Sequence, residues 1–492
     1  MGNPVFDWHA LAPELVLTGT VLAVLVADFV RPERDSWSTS RIASIGVLAS
    51  FVPLVTLASD GANRVMFDGA YVVDNYALAL KAFFLLSAYV TILLSVDYVG
   101  EGDYHQGEFY FLLLVSVLGM SVMTSARDLI TVFVALETIS IPTFVLATYR
   151  KHDRRSNEAG IKYYLIGVLS SAVMLYGMSL IFGITGATRF DAIADAVTGA
   201  SLTPLLAVAM FLSLAGFAFK VSAVPFHFWA PDTYEGSPTP VTAFLSVASK
   251  AGGFVAMLNI VFFGFRAQPD AWWPVLWVLA AASMTIGNLT ALRQTNIVRM
   301  LAYSSIAQGG FILVPFAAAG IADSAAVSDD AFSAVVVYLL VYGAMNLGAF
   351  AVVIGVARRT SSGEISSYAG LFVTSPLLAV MMTVFLASLA GVPPFAGWYA
   401  KFAMFRSIIE AGGGWAITLA VIAAVNSVVA FFYYAGLIRE MWFRDPAVHE
   451  RATISVPPAL GGAIAITAAV TVVIGIYPQL FARVGDLATR VG

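Results

Sequence analysis

The chain has 492 residues, 59 % of them hydrophobic and 11 % charged, and a mean hydropathy of +0.85. Soluble globular chains carry about 25 % charged residues, so this one has too little polar surface to coat a water-soluble particle, and its solvent must be lipid. A net charge of −4 gives no basic footprint for nucleic acid, and the lack of Cys excludes disulfides, thiolate zinc sites, iron–sulfur ligation and c-type haem attachment.

The N-terminus, MGNPVFDWHA, lacks the basic start of a signal peptide, so the first apolar segment is expected to remain as a helix. A membrane span needs about 20 mostly apolar residues. Fourteen stretches qualify, near 10–30, 42–58, 76–98, 107–125, 128–149, 163–183, 202–223, 237–264, 271–290, 300–319, 331–356, 375–410, 415–438 and 455–480. Turn-rich pieces such as SDGANR, GEGDYHQG and ADSAAVSDD mark loops too short for a soluble domain. The expectation is an all-α polytopic protein forming one membrane domain over residues 1–492.

Basic residues set the sidedness through the positive-inside rule. With both termini outside, the inner loops hold fifteen: Arg31, Arg34, Arg41, Arg150, Lys151, Arg154, Arg155, Lys162, Arg293, Arg299, Arg358, Arg359, Arg439, Arg444 and Arg451. The outer loops hold six: Arg64, Arg127, Arg189, Arg266, Arg483 and Arg490. Termini inside would invert that bias.

Lys81, Lys220, Lys250, Lys401 and Arg406 fall inside apolar segments. A Lys or Arg at mid-helix costs about 2.5–3.5 kcal/mol on insertion scales. Lys81 and Arg406 lie near helix ends and are expected to snorkel or pair structurally. Lys250, thirteen residues into its segment, and Glu137, at the centre of TVFVALETISIPTFVL, cannot snorkel easily, which marks both as functional candidates.

Two segments are too long. Residues 202 to the end of WAPDTY, and 375–410, would form helices about 50 Å long against a ~30 Å hydrocarbon core. Breaks are expected at Pro225 and at Pro393–Pro394. The segments also echo each other: FLSLAG (211–216) with FLASLAG (385–391), and PFHFW (225–229) with PFAGW (394–398). Each carries one lysine, Lys220 or Lys401. Paired interrupted helices in two halves of a transporter point to internal repeats around an ion site.

No G-x-x-x-x-G-K-[ST] or G-x-G-x-x-G motif occurs, and His9, His105, His152, His227 and His449 are scattered, so the chain itself is expected to bind no metal, flavin, haem or nucleotide.

KVSAVPFHFWAPDTYEGSPTPVTAFLSVASKAG (220–252), RQTNIVRMLAYSSIAQGG (293–310) and LETIS around Glu137 resemble motifs of the antiporter-like proton-conducting subunits of respiratory complex I and their Mrp antiporter relatives. WAPDTYEGSPTP is similar to the subunit-N branch, whereas the M, L and Mrp branches read closer to WLP-x-AH-x-APTP. The end of the chain soon after Ile476, with no long lateral helix, and Lys at position 401 agree with that branch. The resemblance implies two inverted five-helix repeats, residues 107–264 (helices 4–8) and 271–438 (helices 9–13), each with a broken helix. It implies proton translocation coupled to NADH–quinone electron transfer in other subunits, where NADH, FMN, iron–sulfur clusters and quinone would sit. Neighbours would be subunit M and the small subunits A, J and K, in a bacterial plasma (inner) membrane. Stand-alone Mrp antiporters and energy-converting hydrogenase subunits are the alternatives.

Carried over position by position, the resemblance implies Glu137 paired with Lys220, Lys250 in the middle, and Lys401 facing the outer half-channel. His227 and Lys162 are implied as further relays, although positive-inside charge also accounts for Lys162. These residue types suit proton transfer. Burial favours the neutral form of Lys or Glu and an opposite charge favours the ionised form, so their separation can switch a proton on or off. Arg could not do this, because it does not deprotonate in proteins.

Overall fold

The computed structural model describes residues 6–30, 37–61, 63–102, 104–322, 324–446 and 454–482. Of the residues named from the sequence, Arg31, Arg34, His449, Arg451, Arg483 and Arg490 lie outside these. Among the described residues, twelve helices are long and apolar enough to cross a membrane, and two shorter apolar ones complete the expected fourteen. In chain order they are helix 1 (Ala12–Val30), helix 2 (Trp37–Ala49 and Phe51–Ser59), helix 3 (Asn75–Glu101), helix 4 (Gln106–Ser125), helix 5 (Leu129–Ala147) and helix 6 (Arg154–Thr185). Helix 7 comes in two pieces, 7a (Pro204–Lys220) and 7b (Trp229–Gly236), followed by helix 8 from Thr239 to Gly264. Then come helix 9 (Pro269–Ala291), helix 10 (Ile297–Ile321), helix 11 (Ala325–Thr360), helices 12a (Pro376–Ala390) and 12b (Gly397–Ala411), helix 13 (Gly413–Phe443) and helix 14 (Pro458–Ile476). We call the face where helix 1 begins the terminal face.

Caps fix several starts. The carboxylates of Asp74, Asp128 and Asp153 accept from Ala77 N, Ile130 N and Arg155 N, which satisfies amides that have no partner within their own helix. A stretch expected as loop between helices 2 and 3 instead forms a small hairpin on the terminal face, β1 (Arg64–Met66) against β2 (Tyr71–Val73). At 36 residues helix 11 is as long as the segments expected to break, yet it is continuous, with Asp329, Asp330, Arg358 and Arg359 at its ends outside the apolar stretch.

Both expected breaks are present. Helix 7a stops at Lys220, and Ser222 takes a positive φ of 57° ahead of the cis Val224–Pro225 bond. Helix 12a stops at Ala390, Gly391 takes φ 90°, and the cis Pro393–Pro394 bond follows. Amides freed by the breaks find partners on adjacent helices: Val224 N donates to Ser283 Oγ of helix 9 (2.9 Å), and Ala396 N to Thr471 O of helix 14 (2.9 Å). Non-helical backbone at membrane depth is tolerated where protein satisfies it in this way.

Helices 6 and 13 face mostly outward, whereas helix 8 is buried along its whole apolar length and helices 10 and 11 along most of theirs. Helix 8 is also the least regular. Two five-residue π turns, Leu245–Ser249 and Ile260–Gly264, flank an α-helical stretch that begins at Lys250. Such π turns occur frequently at functional sites.

Candidate proton-transfer axis

Lys220, Lys250 and Lys401 are all buried, exposing 3 %, 3 % and 7 % of their surface. Each ammonium meets neutral oxygens rather than a carboxylate. Lys220 Nζ, at the broken end of helix 7a, donates to Ser140 Oγ (2.9 Å) and Tyr163 OH (3.2 Å). Trp229, first residue of helix 7b, stacks on Tyr163 at 4.5 Å, tying the second piece of the broken helix to the group that holds the lysine.

The expected Glu137–Lys220 pair is not a direct contact. Glu137 is half-buried and accepts from Ser171 Oγ of helix 6 at 2.5 Å. Its neighbours on helix 5 at i−3 and i+4, Val134 and Ile141, are exposed, so the carboxylate lies beside the outward stripe rather than in the core. Ser140, which holds Lys220, stands three residues on, so carboxylate and ammonium occupy adjacent turns of one helix surface. The central depth of Glu137 on helix 5 follows from the sequence; its rotation about the helix axis does not.

Lys250 Nζ donates to both oxygens of Ser305 on helix 10, Oγ at 2.5 Å and the carbonyl at 2.9 Å. Gly253, one turn further along helix 8, packs against the aliphatic stem of Lys220: a Cβ there would come within 2.9 Å of Lys220 Cγ. Lys220 and Lys250 are thus brought to neighbouring turns of helix 8.

From Lys250 the polar groups continue into the second half. Gln308, three residues after Ser305, donates to Leu389 O (3.0 Å) and accepts from Tyr338 OH (2.7 Å). Ser304 and Tyr434 share a hydrogen bond of 2.5 Å beside it. The next carbonyl, Ala390 O, accepts from Lys401 Nζ at 2.8 Å, and the ammonium lies 4.9 Å from the Phe311 ring centroid. Gly391 leaves room for that lysine, since a Cβ would fall 2.7 Å from Lys401 Cδ. Among the described residues, Tyr234 OH, Tyr342 OH and Asn346 Oδ1 are buried in this region and have no hydrogen-bond partner.

His227 is half-buried, and among the described residues its Nδ1 has no hydrogen-bond partner. Lys162 lies at the face opposite the terminal one, in a charge network with Glu158 (2.6 Å) and Asp232 (2.8 Å), while Arg299 reaches Asp232 (2.9 Å) and Glu235 (2.8 Å). Glu158, Lys162, Asp232 and Glu235 line a cavity of about 220 Å³ at the end of helix 7b. Burial alone would push the Asp232 carboxyl up, but hydrogen bonds from Lys162 and Arg299 outweigh it and hold the group below the ordinary carboxylate range.

Lys81 does not snorkel. It is fully buried and pairs with Glu14 of helix 1 at 2.8 Å, with Tyr71 OH at 3.2 Å. Arg406 is exposed and pairs with Asp330 (2.8 Å) and Glu410 (2.9 Å).

Sequence reasoning did not single out Ser140, Tyr163, Ser305, Gln308, Tyr338 or Tyr434. Ser304, Ser305 and Gln308 stand inside RQTNIVRMLAYSSIAQGG, and three polar side chains at the middle of a mostly apolar helix were the available signal. Among the described residues, no group of three or more His, Cys, Asp or Glu is arranged to hold a metal ion.

Residues 126–427 match the family described as NADH:quinone oxidoreductase/Mrp antiporter, transmembrane. NADH-quinone oxidoreductase subunit N of Trichlorobacter lovleyi is 41 % identical over 486 residues, covering 98 % of this chain and 97 % of that protein. A chain of respiratory complex I from Thermus thermophilus superposes with a TM-score of 0.80 at 32 % identity, covering 96 % of this chain and 98 % of that one. A chain of the Mrp complex from Dietzia sp. gives a TM-score of 0.84 at 22 % identity over 98 % of this chain and 97 % of that one, a likeness of fold.

Proposed function

Because the chain belongs to the NADH:quinone oxidoreductase/Mrp antiporter transmembrane family, we propose that it is the subunit-N type member of a proton-translocating NADH–quinone oxidoreductase, conducting protons across the membrane arm. The 41 % and 32 % identities to subunit N and to complex I, against 22 % to the Mrp chain, favour complex I over a stand-alone antiporter. The observation that carries the mechanism is the series of buried polar contacts, Lys220 with Ser140, Lys250 with Ser305, Gln308 with Leu389 O and Lys401 with Ala390 O, that leads from one break to the other.

On this reading residues 107–264 and 271–438 are the two repeats. Protons enter from the face carrying Lys162 and Asp232, which the basic-residue bias makes the inner one. Glu137 and Lys220 load the first half, and Lys250 passes the proton between halves. Lys401 releases it outward: it stands five residues before Arg406, an exposed group near the terminal face, or about 7.5 Å of helix rise. A lysine bound by hydroxyls and carbonyls can give up its proton without separating from a counter-charge. Buried waters between the breaks complete the wire, since the Lys220–Lys250 step exceeds ~3 Å hydrogen-bond range. His227, beside the first break, serves as a site for water rather than a direct relay.

Moving one charge against 100 mV costs about 2.3 kcal/mol, and that energy would come from electron transfer from NADH to quinone in other subunits. This chain would bind no cofactor itself. Its partners would be subunit M and the small subunits A, J and K, in a bacterial plasma membrane with both termini outside. The test is affinity purification of the tagged chain from its membranes. Recovery of an NADH-oxidising assembly supports the proposal, and recovery of a cation antiporter without NADH oxidation refutes it.

A further inference from the structure

At the terminal face of the first half, a second buried polar cluster takes no part in the lysine axis. Arg127, in the turn between helices 4 and 5, donates through Nη2 to Asp74 Oδ2 (3.1 Å). Its Nη1 donates to Thr124 O (3.2 Å), Ala126 O (3.1 Å) and Asn259 Oδ1 (3.4 Å). Asn259 belongs to helix 8, nine residues beyond Lys250, and also accepts from Tyr76 OH (3.0 Å) while donating to Met123 O (2.9 Å). The guanidinium lies 4.3 Å from the Phe263 ring centroid and 5.5 Å from that of Tyr76. Arg127 and Asp74 are 7 % and 4 % exposed.

The two ends of the first half therefore differ in kind. The face opposite has exposed charges around a cavity at Lys162 and Asp232, whereas the terminal end of helix 8 is filled by an arginine with partners on every side. A guanidinium holds its proton in proteins and cannot relay one. A fixed positive charge across a narrow path also repels protonated water, the device by which an arginine excludes protons from other pores.

We propose that Arg127, held by Asp74 and Asn259, is an electrostatic barrier that closes the first half to protons at the terminal face, so that a proton reaching Lys250 can leave only through the second half. This rests on the proton-conducting role proposed above. Helix 8 leads from Lys250 to Asn259, so a proton that leaked past Lys250 along it would meet this charge.

The charge makes the proposal separable from simple packing. Arg127→Gln removes the barrier charge. Asp74→Asn breaks the same ion pair but leaves the positive charge in place, and Asn can still cap Ala77 N. The whole complex is reconstituted in liposomes with an entrapped pH dye, and passive proton leak is measured under an imposed pH gradient without NADH. Arg127→Gln should raise the leak on the order of tenfold, and Asp74→Asn should leave it at the parental level. Equal leak in both variants would make the cluster a packing seal, and leak in neither would place the barrier elsewhere. Either result overturns the proposal. If Arg127→Gln does not assemble, Arg127→Met keeps an aliphatic stem against Phe263 and Tyr76 without the charge, and a tight membrane in that variant also overturns it. Parental liposomes that fail to build an NADH-driven pH gradient would instead refute the proton-conducting role.

Discussion

Gln308 and Lys401 donate to neighbouring carbonyls of one broken helix, Gln308 Nε2 to Leu389 O at 3.0 Å and Lys401 Nζ to Ala390 O at 2.8 Å. The last turn before the break is thus where helix 10, whose Ser305 accepts from Lys250 of helix 8, meets the lysine of helix 12b. A helix end supplies carbonyls with no amide of their own, and two side chains from different helices use them.

Replacing Gln308 by Leu keeps the volume but leaves Leu389 O and Tyr338 OH without these partners. An unmet buried polar group costs about 1–3 kcal/mol, which in a transfer step slows it by roughly 5- to 160-fold. Gln308→Leu should lower NADH-driven proton uptake into vesicles while NADH oxidation with an artificial acceptor stays at the parental level. Unimpaired uptake would remove Gln308 from the path.

Glu14 and Lys81 form a buried pair joining helices 1 and 3, and Ser121 of helix 4 donates to the same carboxylate oxygen at 2.7 Å. Removing one partner leaves a buried charge uncompensated, at about 3–5 kcal/mol, whereas replacing both with apolar residues is often close to neutral. Lys81→Met or Glu14→Leu should each lower the thermal inactivation midpoint of the purified complex. The double variant should recover most of the loss. A double variant as unstable as the sum of the two would show that the pair is not the source.

Asp232 provides the pH prediction. Its carboxyl lies below the ordinary range in the folded chain, so its contribution to stability is complete above the unfolded value of about 3.9 and is lost as pH falls through the folded one. The difference in thermal midpoint between the parent and Asp232→Asn should therefore be constant from neutral pH down to about 5 and shrink only in stronger acid. A difference that fades between about pH 8 and 6 would contradict the Lys162–Asp232–Arg299 arrangement.

Apolar length and proline position made the fourteen crossings and both breaks legible, because the bilayer allows few other solutions for such segments. For Lys81, nearness to a helix end left snorkelling and structural pairing both open; the structure shows pairing, with Glu14 of helix 1, and spacing within one segment cannot reveal a partner 67 residues away. Glu137 illustrates the other limit. Its depth follows from the sequence, while its contact with Ser171 instead of Lys220 depends on how helices 5, 6 and 7 rotate against one another. The small hairpin before helix 3 was hidden because three-residue strands carry almost no periodic signal.

The central claim, that the three buried lysines carry protons along one path, is tested most directly at Lys250. It stands near the middle of helix 8, and Ser305 is its sole hydrogen-bonding partner among the described residues. The measurement is the number of protons translocated per NADH oxidised, in sealed vesicles containing the assembled Lys250→Ala complex, with NADH oxidation by an artificial acceptor measured in parallel. The account predicts a lower ratio with the artificial-acceptor activity preserved. An unchanged ratio would make Lys250 a structural residue and break the path at its midpoint.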